Sequence, residues 1–162
     1  AGRGDVSGVR VGVPRASFAR PTPPNRLRRG RALAMAVLPE DVLASAREIK
    51  AIADPLPMIP RREALHRISI GRAYYAAYDA ALRQARSDGW VIQDRPPGLA
   101  THEALWEWWY ATMRGRSDVA DLGRELKRLR ITADYRPAVD VGEGSVATAL
   151  GLADRLLAAL RR

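Results

Sequence analysis

Cysteine is absent from this 162-residue chain, and histidine, phenylalanine and lysine are scarce. Without cysteine the chain has no disulfide, no thiolate nucleophile and no sulfur ligand for a metal. The two histidines, His66 and His102, lie far apart and lack ligand spacing, apart from the neighbouring pair His102-Glu103. We therefore expect no metal site, and a cysteine-free chain favours the reducing cytoplasm.

Long apolar runs and the common catalytic motifs are also missing. A charged residue interrupts every apolar stretch well before the ~20 residues that a membrane-spanning helix needs, so we expect no contact with a membrane. There is no P-loop, no glycine fingerprint for a dinucleotide, no Gly-x-Ser-x-Gly and no His-Glu-x-x-His. No segment alternates as a strand would. These absences predict an all-α protein without a cofactor.

Positive charge is abundant, but it is concentrated at the N-terminal end. Residues 1–34 contain eight arginines against one acid, Asp5, and so carry +7 of the net charge of +9. This segment is rich in Gly and Pro and has no structural periodicity, which predicts a disordered basic extension. Three explanations compete: a basic nucleic-acid arm, a targeting segment, or non-native sequence ahead of a start at Met35. We place the folded domain at residues 35–162.

Helical periodicity and capping signals divide the rest of the chain into helices. Glu40 and Asp41 suit a helix N-terminus, and Asp54-Pro55 ends the first helix because the residue before a proline avoids the α conformation. The predicted helices are 40–53, 61–87, 101–114, 117–131 and 143–161. Short connections between them predict an antiparallel up-and-down bundle of four to five helices.

The longest helix, 61–87, carries charged and polar groups among its apolar residues. Periodicity places six residues on its inner face: Leu65, Ile68, Arg72, Tyr75, Asp79 and Leu82. A buried charge requires a partner. We therefore predict that Tyr75 and Asp79 are structural polar groups on this inner face. His66, early in the same helix, is predicted to be half exposed.

The helix 101–114 has an unusual number of large aromatic residues, among them Trp106 and Trp109. Two interpretations stay open. The helix either packs between other helices of the bundle, or uses Trp106 and Trp109 at an interface with a partner, where tryptophan is enriched. The second interpretation would make the protein a non-catalytic interaction module. His102, at the start of this helix, suits a capping or solvent-exposed role.

Two short runs, Gly71-Arg72-Ala73-Tyr74-Tyr75-Ala76-Ala77-Tyr78 and Arg130-Ile131-Thr132-Ala133-Asp134-Tyr135, resemble the HEPN family of small helical bundles. The resemblance covers residues 40–160. It implies a helical bundle that dimerises and belongs to a prokaryotic toxin–antitoxin or defence module. Active members of the family are endoribonucleases that cleave RNA without a metal, through an Arg-x4–6-His motif near the start of their last helix.

The second run is similar to that of a HEPN subgroup often paired with nucleotidyltransferase-like antitoxins. It has no histidine in the expected place, so Asp134 or Tyr135 would have to act as the general base. The resemblance implies that Arg130, Asp134 and Tyr135 form the catalytic group, and that Arg72 and Arg128 bind the phosphates of RNA or a nucleotide. Tyr135 would stack on a base or receive a nucleotide from the partner enzyme.

A structural interpretation of the same run stands beside the functional one. Asp134 would then accept a salt bridge from Arg72 or Arg130, while Tyr135 packs and ends its helix. The Arg-x4–6-His spacing also occurs as Arg61…His66 and Arg95…His102, outside the helix where the family has its catalytic pair. Arginine is so frequent in this chain that such spacings arise by chance.

Overall fold

The computed structural model describes residues 37–57, 59–92, 100–112 and 116–162, all within one compact unit. The described residues form helices and loops only, so the prediction of an all-α fold is confirmed for them. None of the described helices is long and apolar enough to cross a membrane. The helices are α1 (Pro39–Ala53), α2 (Ile59–Ser87), α3 (Thr101–Thr112), α4 (Ser117–Tyr135) and α5 (Glu143–Leu160). The predicted basic extension, 1–34, lies outside the described residues.

Local signals account for the helix ends. At the start of α1 the Asp41 carboxylate accepts a hydrogen bond of 3.1 Å from the Leu38 amide, in the manner of a capping box. After α2, Gly89 has a φ of 99°, which an L side chain rarely adopts, and Trp90 donates to the Ala85 carbonyl at 2.8 Å. The backbone therefore turns sharply after α2, with the Trp90 amide as the donor to Ala85, and the Trp90 side chain is buried.

Hydrogen bonds between helices fix the direction of each one. Ser69 Oγ donates to the Ala46 carbonyl at 2.7 Å, and Arg83, later in α2, donates to the Val37 carbonyl just before α1. The two helices are therefore antiparallel, as their short connection predicts. Helix α2 packs against each of the other four helices and forms the centre of the bundle.

The strict up-and-down order is wrong at one connection. Tyr74 contacts His102 and, one turn further along both helices, Tyr78 contacts Trp106, so α2 and α3 run in the same direction. The start of α3 therefore lies beside the middle of α2. The relative direction of these two helices cannot be deduced from helical periodicity, because periodicity shows only which face of a helix is apolar.

The inner face of α2 was also predicted wrongly. Ile68 is 49% exposed and Tyr75 43% exposed, and Asp79 is paired at the surface with Arg83 at 2.7 Å. Small residues face the core instead, because α2 lies close to four neighbours and alanine lets helix backbones approach. The buried residues of α2 are His66, Ser69, Ile70, Ala73, Tyr74, Ala76, Ala77, Ala81 and Ala85.

The tryptophans of α3 belong to the core. Trp106 and Trp109 are fully buried, which contradicts their assignment to an interface and supports the alternative that α3 is packed within the bundle. Trp106 lies against Gly123 of α4, where a methyl group in place of the glycine hydrogen would come within 2.7 Å of three indole carbons. A glycine at this position therefore allows the large indole to fit between α3 and α4.

Candidate functional site

The two short runs that carry the family resemblance meet in space. They lie on α2 and α4, which are antiparallel neighbours. Asp134 Oδ1 is 3.9 Å from the point where a side chain on Gly71 would begin, and Arg130 Nη2 is 3.2 Å from the Tyr75 hydroxyl. A small residue at 71 thus allows the last turn of α4 to lie close to α2.

Arg130 is the centre of this contact. Its Nε lies 2.6 Å from Asp134 Oδ2, one turn later on α4, and its Nη2 donates to the hydroxyls of Tyr75 and Tyr135, each at 3.2 Å. The guanidinium carbon also lies 5.7 Å from the Tyr75 ring centre and 4.9 Å from that of Tyr135. The guanidinium is therefore held in one place by a carboxylate and two aromatic rings.

One end of this guanidinium has no protein partner. Within the described residues, Nη1 of Arg130 donates to no group, although the side chain is only 18% exposed. Burial opposes the charged form, but the hydrogen bond to Tyr135 and the charge of Asp134 outweigh it and raise the pKa of Arg130. Arg130 is thus a permanent cation with two N–H groups available to an anion.

The structural interpretation of the Arg130–Tyr135 run is correct for Asp134 and only partly correct for Tyr135. The predicted salt bridge to Asp134 is confirmed, with Arg130 and not Arg72 as the donor. Tyr135 does end α4, but it is 65% exposed and does not pack in the core. Its ring is available for stacking, so a contact with a base stays a prediction.

His102 completes the cluster, and sequence reasoning gave it no functional role. Its Nδ1 is 2.6 Å from the Tyr74 hydroxyl, and its ring stacks on Tyr78 with ring centres 4.2 Å apart. The Tyr75 ring lies edge-on to it, with centres 6.2 Å apart. We use the name Arg130 cluster for Arg130, Asp134, Tyr135, Tyr75 and His102.

The surroundings of His102 favour its neutral form. Burial, followed by the positive charges of Arg130 and Lys127, lowers the pKa of His102. Burial raises the pKa of Tyr74, so that its hydroxyl keeps its proton. Within the described residues, Nε2 of His102 has no hydrogen-bond partner, and a neutral imidazole with one free nitrogen can exchange a proton with a ligand. The only sequence signal for this role was that His102 shares a helix face with Trp106.

The structure does not bring Arg72 and Arg128 together with Arg130 in one groove. Arg72 is exposed on α2, three residues before Tyr75, and forms no ion pair in the described part of the chain. Arg128 lines a different groove, of about 450 Å³, on the outer side of α4. Only Arg130 of these three arginines belongs to the Arg130 cluster.

His66 has a structural environment. It is 3% exposed, which contradicts the expectation of a half-exposed residue, and its nitrogens lie 3.3 Å from the Val141 carbonyl and 3.4 Å from Asp54 Oδ1. His66 thereby joins the α1–α2 connection to the segment before α5, beside a cavity of about 350 Å³. The described residues contain no group of three His, Asp or Glu side chains that could hold a metal ion.

Comparisons with models of known protein families, with characterised proteins and with solved structures found no match to the chain. The geometry of the Arg130 cluster is therefore the structural basis for assigning a function to the chain.

Proposed function

We propose that the protein is a HEPN-like component of a prokaryotic toxin–antitoxin or defence module that binds RNA at the Arg130 cluster. One observation carries this proposal: the guanidinium of Arg130 is fixed by Asp134, Tyr75 and Tyr135, yet among the described residues its Nη1 has no partner. An arginine with free, pre-oriented donors suits a phosphate group.

The exposed tyrosines indicate which class of phosphate ligand fits. Tyr75 and Tyr135 are 43% and 65% exposed, and both rings lie beside the guanidinium. Unstacked bases of single-stranded RNA pack on such rings, with ~1–3 kcal/mol for each base. RNA can place a phosphodiester on Arg130 and a base on Tyr135 at the same time. A free phosphate ion would use Arg130 alone, so RNA fits the site better.

RNA cleavage at this site would use His102. The imidazole would take the proton of a ribose 2′-hydroxyl, whose oxygen attacks the neighbouring phosphorus, while Arg130 stabilises the charge that develops on the phosphoryl oxygens. The bond from phosphorus to the 5′-oxygen breaks, that oxygen takes a proton from water, and the imidazolium of His102 returns its proton to the hydroxide that is left. The products are a 2′,3′-cyclic phosphate and a 5′-hydroxyl end. When Nδ1–H donates to the Tyr74 oxygen, Nε2 is free to act as the base.

The resemblance extends the proposal to partners. A homodimer and a nucleotidyltransferase-like antitoxin are the partners that it implies, with Tyr135 as a residue that the antitoxin would modify. Its exposure is compatible with such a modification. A nucleotidyltransferase-like gene beside this one would favour the toxin–antitoxin assignment.

The test of cleavage is incubation of the pure protein with RNA in EDTA. We expect the wild type to cleave, and both Arg130→Ala and His102→Gln to reduce the rate at least ~100-fold, because each removes a group that acts in the transition state. Arg47→Ala, which removes an exposed arginine of α1, is the matched control. Absence of cleavage by the wild type, or equal rates for Arg130→Ala, would remove the proposed RNase activity.

A further inference from the structure

The outer side of α4 has a second positively charged surface, made of residues that do not belong to the Arg130 cluster. Four cations line the groove of about 450 Å³ on this side, together with one acid, Glu103, among the described residues. They are Arg124, Lys127, Arg128 and Arg136. Since residues 35–162 carry a net charge of only +2, this groove holds an unusual share of the domain's positive charge.

The four cations are not equally available. Arg124 is bound to Glu107 at 2.6 Å, and Lys127 is bound to Glu103. Arg128 and Arg136 line the groove and, within the part of the chain that the structure describes, form no ion pair. The groove therefore has two cations that carboxylates of α3 hold in place, and two exposed cations without an ion pair among the described residues.

The groove adjoins the Arg130 cluster. Lys127 precedes Arg130 by three residues, about one helical turn, and its charge acts on His102. Glu103, which holds Lys127, is next to His102 in the chain. A chain-like ligand could thus extend from the cluster into the groove without leaving α4.

We propose that this groove binds the backbone of the same RNA strand whose phosphodiester is held at Arg130, with Arg128 and Arg136 as the phosphate contacts. The inference rests on the proposed function. From Arg124 to Arg136 the helix rises ~18 Å, which matches about five stacked nucleotides. Regular negative charge over that length, continuing from a site flanked by aromatic rings, is a property of nucleic acid more than of an acidic peptide.

The experiment measures how RNA binding depends on salt. The probe is a fluorescent RNA of about 12 nucleotides with 2′-O-methyl groups, which cannot be cleaved, and its Kd is measured at several NaCl concentrations. Each lost phosphate contact lowers the slope of log K against log salt by ~0.7 for a single strand. We expect Arg128→Gln/Arg136→Gln to reduce the slope by ~1.4 and to weaken binding about tenfold at low salt.

A matched control removes the same charge elsewhere. Arg86→Gln/Arg155→Gln changes two exposed arginines, on α2 and α5, and should leave the slope at its wild-type value. An equal fall in the slope for both double variants would mean that net charge alone acts, and a wild-type slope for Arg128→Gln/Arg136→Gln would remove these contacts. Either result overturns the proposal that RNA binds in this groove.

A shorter RNA probe separates this inference from the proposed function. A 2′-O-methyl dinucleotide reaches the Arg130 cluster but cannot fill the groove, so failure of the proposed function would appear as no binding of the dinucleotide, or as equal binding by Arg130→Gln. The alternative occupants are an acidic peptide and an anionic membrane. Tighter binding of a polyglutamate peptide or of phosphatidylserine vesicles, lost in Arg128→Gln/Arg136→Gln, would contradict RNA as the ligand.

Discussion

Two arginines connect α2 and α4, and their side chains are almost equally buried, at 17% exposure for Arg67 and 18% for Arg130. Arg67 extends from α2 to the end of α4, where it donates to the Ala133 carbonyl at 2.7 Å and the Val139 carbonyl at 2.5 Å. Its remaining donors bind Glu63, with further, longer contacts to backbone carbonyls. All three of its nitrogens are thus used by the protein.

Arg130 points the other way, from α4 to α2, and meets side chains in place of backbone. Two tyrosine hydroxyls accept hydrogen bonds from Nη2, and Asp134 forms an ion pair beside Nε without accepting a hydrogen bond from it, while Nη1 has no partner among the described residues. The two arginines therefore differ in how many of their N–H donors have a protein partner, and not in how deeply they are buried. Arg67 has the geometry of a structural clamp on the C-terminal carbonyls of α4, whereas Arg130 has the geometry of a binding group.

The largest effect in this comparison should come from removing the clamp. Arg67→Ala leaves the carbonyls at the end of α4 without their charged donor and Glu63 without its partner, so we expect the free energy of unfolding to fall by about 3 kcal/mol. Urea denaturation measures it. The control, Arg47→Ala, breaks an exposed ion pair with Asp154 and should cost under ~1 kcal/mol. A loss for Arg67→Ala as small as that of the control would contradict the clamp.

The contact that holds α3 against α4 provides the next effect. In Gly123→Ala the new methyl group would overlap the buried Trp106 ring, and the shift that follows should cost about 2 kcal/mol and move α3, which carries His102, away from α4. Gly151→Ala is the matched control, because Gly151 lies within α5 and, among the described residues, the added methyl group would meet no atom of another element within 4 Å. Alanine favours a helix, so thermal denaturation should show Gly151→Ala stabilised by up to ~1 kcal/mol. Equal stability of the two variants would show that α3 and α4 are loosely packed.

Arg130→Gln should have a smaller effect on stability than Arg67→Ala. The groups that it leaves, Asp134, Tyr75 and Tyr135, are partly exposed and can bind water in its place. We expect a fall of about 1 kcal/mol in the free energy of unfolding, measured in the same urea series. A fall as large as that of Arg67→Ala would mean that both arginines are structural.

The smallest effect concerns the protonation of His102. Because burial and the charges of Arg130 and Lys127 lower its pKa in the folded protein, the unfolded chain binds a proton more readily, and His102 should reduce stability as the pH falls below ~6.5. Arg130→Gln removes one of these charges and should raise the pKa of His102. NMR titration of the two histidines, with His66→Gln to assign them, measures this change. An unchanged or lower pKa of His102 in Arg130→Gln would contradict the electrostatic effect of Arg130 on His102.

The sequence was sufficient for features set by neighbouring residues. The bounds of α1 follow from Glu40, Asp41 and Asp54-Pro55, and the runs around Tyr75 and Arg130 were found because each is continuous in the chain. The sequence was insufficient for features that depend on packing between helices. The alanine face of α2 has no large residues to mark it, and the position of His102 beside Tyr74 depends on α3 running parallel to α2.

The most direct test of the binding role of Arg130 is the affinity of the 2′-O-methyl dinucleotide for the wild type and for Arg130→Gln, measured by NMR titration at one pH and salt concentration. Charge-assisted hydrogen bonds of ~1.5–3 kcal/mol predict that the variant binds about 10- to 150-fold more weakly while it stays folded. Equal affinity of a folded Arg130→Gln variant and the wild type would contradict the claim that Arg130 is held for a ligand.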